Sequence, residues 1–223
     1  MPAEAKTRVK SEQTRERILE AALELFREQS FEAATMRQIA ARAGMATGAA
    51  YYYFDSKDAI VLAFYDQAQK EMAPGIEDVL ETARGLEERL RGVIEVKLRY
   101  FAPSRDLLGA LSGHTNPKSP LSPFGEGTRA IREQDIAFLA RAVEGSGVHV
   151  AEDLRDYLPR LLWMYQMGII LFWITDGSAG QAKTKVLLEK SLSVVVRLIQ
   201  LAGLPLTKPL RKMVTGLVDV VTE

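Results

Sequence analysis

The sequence predicts an all-α protein, with a helix-turn-helix unit at its N-terminal end and a larger helical domain after it. Three observations carry this. Apolar residues recur at helical spacing from Ser11 almost to the end of the chain. Residues that cap helices stand at the starts of these periodic segments, as at Thr35, Thr47, Ser104 and Ser178. Glycines and prolines separate them, at Gly44, Pro74-Gly75, Pro103, Gly145 and Gly203.

The first segment, residues 1–10, is polar and carries Lys6, Arg8 and Lys10 two apart. It reads as a flexible basic arm, either a frayed tail or an arm that touches phosphates or a minor groove. It has no apolar run of the kind a secretory leader needs. The first helix is expected over 11–29, with Ile18, Leu19, Ala22, Leu25 and Phe26 on one face. Phe31 breaks the period and is expected to pack back on that helix.

Thr35 is placed to cap a second helix, and Gln38 three residues on can complete a capping box. Met36, Ile39, Ala40 and Ala43 are its buried stripe, small enough for close helix packing. Gly44 stands where a helix ends in the left-handed region. Thr47 is the expected cap of a short third helix, 48–54, which includes Tyr51, Tyr52, Tyr53 and Phe54. Four consecutive rings point to all sides of a helix, so some face outward. Beside them, Thr47, Gly48, Ala49 and Ala50 let the backbone approach another surface closely. The pattern fits a helix that enters a DNA major groove, with tyrosine hydroxyls in reach of phosphates. The alternative is four rings in a core. Asp55 and Ser56 end this helix and cap the next. Lys57 in the first turn of the fourth helix opposes the helix dipole, which an external anion there would explain. Pro74 is expected to end the fourth helix and to mark the boundary between an N-terminal domain, 11–73, and a C-terminal one, 74–223.

The run from Thr14 to Tyr65 resembles the DNA-binding domain of the tetracycline-repressor (TetR) family. The matching residues are ILEAALELF in the first helix, T-x-R-x-IA-x-x-AG from Thr35, T-G-A-x-Y-Y-Y-F from Thr47, and Ser56-Lys57. The resemblance implies that Arg37, Thr47, Gly48 and Ala49 face bases, and that Thr35, Tyr51, Tyr53 and Lys57 hold phosphates. Tyr52 and Phe54 are the implied core-facing partners. It also implies a homodimer on a palindromic operator, and repression released by a small molecule. Few long donors stand at the base-facing start of the third helix, so Arg37 and DNA shape would carry much of the specificity.

Beyond Pro74 the periodicity predicts a helix from Leu86 to Phe101, a short one over 105–111, and an irregular segment from Gly113 to Gly127. That segment reads as an exposed connector or a gate beside a pocket. Further helices follow from about Thr128 to Glu144, from about Ala151 to Thr175, from Ser178 to Ile199 and from Thr207 on. A Ser178–Gln181 capping box is expected. The helix ending at Thr175 is apolar all round from Leu161 and must be covered on every side. With the next it suits a dimer interface, a four-helix bundle including Leu161, Tyr165, Phe172, Val194, Val195 and Leu198. Phe101, His114, Phe138, Trp163, Met164 and Met167 are candidates for lining a pocket for a hydrophobic ligand.

The 223 residues contain no cysteine, which excludes disulfides and thiolate metal sites and makes a cytoplasmic setting natural. The formal net charge is zero, unlike proteins that coat nucleic acid without specificity. Residues 161–174 are too few to span a bilayer, so no membrane partner is expected. No phosphate loop, metal motif or nucleophile constellation points to an enzyme, and no cofactor is implied. The expectation is a dimeric, ligand-responsive DNA-binding regulator. The alternative is a helical dimerisation or interaction module without operator binding.

Overall fold

The computed structural model describes the backbone of residues 2–114 and 116–222; side chains are described for all of these except 2–7, 205, 214 and 217–222. The described residues form ten α-helices and no strand. The helices are α1 (Pro2–Gln29), α2 (Met36–Arg42), α3 (Thr47–Tyr53), α4 (Lys57–Thr82), α5 (Leu86–Phe101), α6 (Arg105–Leu111), α7 (Arg129–Glu144), α8 (Leu158–Thr175), α9 (Ala182–Ala202) and α10 (Lys208–Thr222). They divide into two compact units. One comprises Met1–Lys70 and Ala102–Ile131; the other comprises Glu71–Phe101 and Arg132–Glu223.

In the first unit, Ile18, Ala22 and Phe26 of α1, Ile39 and Ala40 of α2, and Ile60 and Val61 of α4 are buried together with Ala50 and Phe54. Phe31 does return to α1, its ring 5.2 Å from that of Phe26 in an edge-on contact. The predicted capping box is formed: the Gln38 amide donates to Thr35 Oγ1 at 3.3 Å, and the Thr35 amide donates to Gln38 Oε1 at 2.9 Å. Gly44 has φ +69°, the left-handed turn expected of it. Helix α1 begins at Pro2, so residues 2–10 continue it without a break rather than forming a separate arm.

The segment from Gly113 to Gly127 closes on itself, in its described residues, as a packed loop. Leu121 and Ser122 are buried, and Thr128 Oγ1 donates to the Ser122 carbonyl at 2.6 Å. A Cβ on Gly125 would lie 2.8 Å from the carbonyl oxygens of Pro117 and Ser119, so only glycine fits there.

The helix end expected at Pro74 is absent, because α4 runs through it, and the two compact units part within that helix, at Lys70 and Glu71. A proline costs a helix one hydrogen bond and some strain. Here Met72, Ile76 and Leu80, four apart and all buried, hold the helix on both sides of that loss.

In the second unit, α5, α8 and α9 pack around Leu90, Val93, Ile94, Leu162, Trp173, Leu188 and Leu192. Tyr165 and Ser191 join α8 to α9 through their hydroxyls at 2.8 Å, and Ser193 Oγ donates to Glu87 of α5 at 2.9 Å. Two expectations change here. The long helix expected from Ala151 is broken: Glu152–Leu154 form a 3-10 turn and α8 starts at Leu158. Pro159 explains the start, since its missing N–H is tolerated only in a first turn. The Ser178–Gln181 box does not form, and Gln181 takes a left-handed φ of 52°. Asp176 does the capping instead, accepting from the amide and hydroxyl of Ser178 at 3.0 and 2.7 Å and of Thr184 at 2.9 and 2.7 Å. These donors hold its carboxyl well below the usual aspartate range, the Ser178 hydroxyl first among them.

Candidate DNA-reading site

The second helix of the motif is tied to α1 by charge. The Arg42 guanidinium reaches Glu28 through two bonds of 2.9 and 2.7 Å and Glu24 at 3.1 Å. The paired guanidinium holds the Glu28 carboxyl below its ordinary value. This fixes the face of α2 that carries Arg37, which is exposed.

Helix α3 is only seven residues long, too short to persist alone. It is held from within by Ala50 and Phe54, four apart and buried, and the Arg15 guanidinium lies 4.8 Å from the centre of the Phe54 ring. Its other face is open. Gly48 and Ala49 are exposed, and Tyr51 and Tyr52 are 50% and 84% exposed. Tyr53 is half-buried, its ring edge-on to Tyr52 at 5.3 Å.

Two expectations are corrected. Thr47 is not the cap of α3 but its first residue; Ala46 precedes it as the cap, with no side-chain hydrogen bond. Ala50 and Phe54 are the buried face of the helix, and on the other side Tyr52 points to solvent rather than to the core. The third tyrosine of the open face was therefore missed.

Lys57 has an internal explanation. Its Nζ donates to the carbonyls of Phe31 at 2.6 Å and Glu32 at 3.2 Å and sits 4.6 Å from the Phe31 ring centre. Those carbonyls orient its ammonium beside the turn. Lys57 braces the turn between α1 and α2, and Thr35 caps α2 just beyond it. His114 is here too, edge-on to Phe31 at 6.2 Å, with Nδ1 3.1 Å from Ser119 Oγ.

The remaining sequence-predicted pocket residues are on the second unit. Phe101, Phe138, Trp163 and Met167 belong to α5, α7 and α8; Trp163 is buried, and Phe101, Phe138 and Met167 are half-buried. Met164 is on the open side of α8, exposed. The same three helices contribute a polar cluster that sequence reasoning did not single out. Lys97 of α5 donates to Asp135 of α7 at 2.5 Å, and Gln166 of α8 donates to the other Asp135 oxygen at 3.3 Å. All three are buried, and Gln166 Oε1 has no hydrogen-bond partner. Of the predicted interface residues, Phe172, Val194 and Leu198 are exposed, while Leu161, Tyr165 and Val195 are half-buried. Among the described residues no helix is long and apolar enough to cross a membrane, and no acidic, histidine or cysteine cluster could hold a metal.

A capped, charge-braced two-helix turn presenting a small-residue helix with open tyrosines is the reading head of a helix-turn-helix DNA-binding transcriptional regulator. Residues 18–64 match the family described as bacterial regulatory proteins, tetR family, and residues 89–218 match the tetracyclin repressor-like C-terminal domain. The chain belongs to the TetR family. A similar curated protein is the HTH-type transcriptional regulator SrpR of Pseudomonas putida, 48% identical over 52 residues, which is 23% of this chain and 24% of that one. The HTH-type transcriptional repressor AcnR of Corynebacterium efficiens is 36% identical over 87 residues, 39% of this chain and 44% of that one. These matches span less than half of the curated relatives' length. Among solved structures, a TetR regulator from Nitrosomonas europaea has TM-score 0.63 at 20% identity, covering 81% of this chain and 96% of that one. FadR of Thermus thermophilus, a TetR-family repressor in complex with lauroyl-CoA, has TM-score 0.56 at 25% identity, covering 85% and 95%.

Proposed function

We propose that this chain acts in the cytoplasm as a homodimeric repressor of a palindromic operator, released by a small hydrophobic effector. Each α3 enters one of two successive major grooves about one helical turn apart. Arg37, Thr47, Gly48 and Ala49 face bases. Thr35, Tyr51 and Tyr53 take phosphates, and Tyr52 joins them on the open face. Lys57 supports this surface from behind. The observation that carries the proposal is the split of α3 between a buried pair, Ala50 and Phe54, and an open face of small residues and tyrosines. A helix of seven residues exposing two large rings to water needs a second surface to make sense of them.

Dimerisation would use the open side of α8 and α9, where Met164, Leu171, Phe172, Val186, Val194 and Leu198 are exposed. An apolar face of this kind on two adjacent helices suits a four-helix bundle with a second copy. The effector would bind among α5, α7 and α8, between Phe101, Phe138, Trp163 and Met167. Gln166 Oε1 offers it a hydrogen-bond acceptor that nothing else satisfies. The likeness to FadR, solved with lauroyl-CoA, favours a fatty acyl ligand. A ligand that prefers one of two conformations of this unit lowers operator affinity by its differential affinity for them.

Selection of genomic fragments by the purified protein, followed by footprinting, tests the operator reading. The recovered sites should be palindromic, and the substitutions Arg37→Ala and Tyr51→Ala should each weaken binding. Retention of full affinity by the double variant would sink the site assignment. Failure to recover any fragment would favour an interaction module instead. Titration with lauroyl-CoA should release the operator; no release and no thermal shift would exclude the acyl effector.

A further inference from the structure

The second unit holds an apolar groove of about 610 Å³ beside α8, α9 and α10. That is the size of a site for a small organic molecule, roughly 300–1,000 Å³. Ala151 and Leu154 line it from the segment before α8, Leu158 from the first turn of α8, Val195 and Leu198 from α9, and Leu210 from α10. Among its described lining residues none belongs to the effector site proposed between Phe101, Phe138, Trp163 and Met167.

Polar bonds set the shape of this groove. Arg211 of α10 also lines it and is 9% exposed. Its Nε donates to both Asp153 oxygens at 2.8 and 3.0 Å. Its Nη1 donates to the Ala202 and Leu204 carbonyls at 2.9 and 3.0 Å and to Thr207 Oγ1 at 3.0 Å. One guanidinium thus ties the start of α10 to the end of α9 and to the 3-10 turn before α8. Leu210 lines the groove and yet is 61% exposed, so α10 borders the space without filling it. The other polar groups of the lining are already paired: Tyr165 Oη lies 2.8 Å from Ser191 Oγ, and Thr207 Oγ1 donates to the Leu204 carbonyl at 2.7 Å. Arg211 Nη2, by contrast, has no hydrogen-bond partner among the described residues.

We propose that the groove binds a long-chain apolar molecule ending in one uncharged oxygen acceptor, a fatty alcohol or alkyl ester in chemical class. Its oxygen accepts from Arg211 Nη2 and its chain lies along the leucines and valines. Aliphatic walls favour each methylene they cover. A donor without a partner, on a side chain nine-tenths buried, favours an occupant that brings an acceptor. An anionic head suits the site less, because Asp153 already balances the guanidinium and stands beside it as a like charge. A second copy of the chain fits less well, since the start of α10 is already a wall of its own groove through Thr207, Leu210 and Arg211. The inference goes beyond the effector reading above and stands or falls apart from it.

Calorimetric titration of the whole chain with octan-1-ol, nonan-1-ol and decan-1-ol tests this. Affinity should rise about fourfold with each added methylene. Decanoate should bind about tenfold more weakly than decan-1-ol, and equal affinity would overturn the uncharged head. Leu201→Asp and Leu210→Asp each place a charge in the wall, at exposed positions that the protomer fold does not need. Each should weaken decan-1-ol binding by about tenfold with an unchanged melting temperature. Binding that both variants leave intact would put the alcohol elsewhere and overturn the site. Failure of all three alcohols to bind overturns it as well. Alcohol uptake that is lost as rising protein concentration drives self-association would show a second copy in the groove and refute the proposal. None of these failures bears on release of the operator by lauroyl-CoA, which reports on the other site.

Discussion

Replacing Asp135 by leucine breaks a buried ion pair and has a calculable cost. The Lys97 and Asp135 side chains are 4% and 11% exposed, and their charged atoms are 2.5 Å apart. Removing the carboxylate leaves a buried ammonium without this counterion, which costs about 3–5 kcal/mol. In a protein of this size each kcal/mol moves the melting temperature by roughly 2–4 °C, so Asp135→Leu should lower it by about 6–20 °C. Lys97→Met added to Asp135→Leu removes the stranded charge. It still leaves the Gln166 amide without its acceptor, a residual penalty of about 1–3 kcal/mol. Adding Gln166→Leu should return stability to near or above the wild type, since an apolar replacement of a buried ion pair is often neutral or better. The assay is thermal and urea unfolding followed by circular dichroism at fixed protomer concentration, analysed as a mutant cycle. If Asp135→Leu costs less than about 1 kcal/mol, the pair is hydrated and the burial argument fails. If the triple variant is no better than the single one, the cost is steric rather than electrostatic.

Further outcomes follow from other parts of the chain. Thr35→Ala should destabilise the head by about 1 kcal/mol through loss of the capping box, seen as a lower unfolding midpoint in urea with unchanged slope. Asp176 has a carboxyl held below its ordinary value near 3.8, so its stabilisation is complete above that value and is lost as pH falls. Asp176→Asn should therefore lower stability at neutral pH and flatten its decline on acidification; parallel pH profiles for variant and wild type would contradict this. Gly125→Ala should destabilise the Gly113–Gly127 loop, with faster amide exchange at Thr128 as the readout, because its Cβ would strike two carbonyl oxygens.

Local rules were legible in the sequence. The Thr35–Gln38 box, the left-handed Gly44 and the return of Phe31 to α1 all depend on residues within a few positions, and each stands as its spacing implied. What escaped was set at longer range or by a small shift of phase. Lys57 finds its partners 26 and 25 residues back, which no helix-dipole argument can anticipate. Tyr52 could not be sorted from its neighbours because four rings in sequence carry no phase of their own. Pro74 read as a stop because the buried Met72, Ile76 and Leu80 that carry the helix past it are a tertiary effect. Asp176 was passed over for Ser178, although a carboxylate accepting four bonds is the stronger cap.

The lysine bound to Phe31 and Glu32 changes what kind of instrument the reading head is. A lysine on DNA displaces condensed cations, and each such contact contributes about 0.9 to the slope of log affinity against log salt. If Lys57 kept its two peptide oxygens in the proposed complex, each head would give up that increment, and a dimer would give it up twice. In the proposed complex the grip of Thr35 and the tyrosines would be made by hydroxyls, which release no ions. Such a regulator would hold its site over a wider range of intracellular ionic strength, and osmotic stress would disturb its occupancy less than that of a lysine-rich competitor.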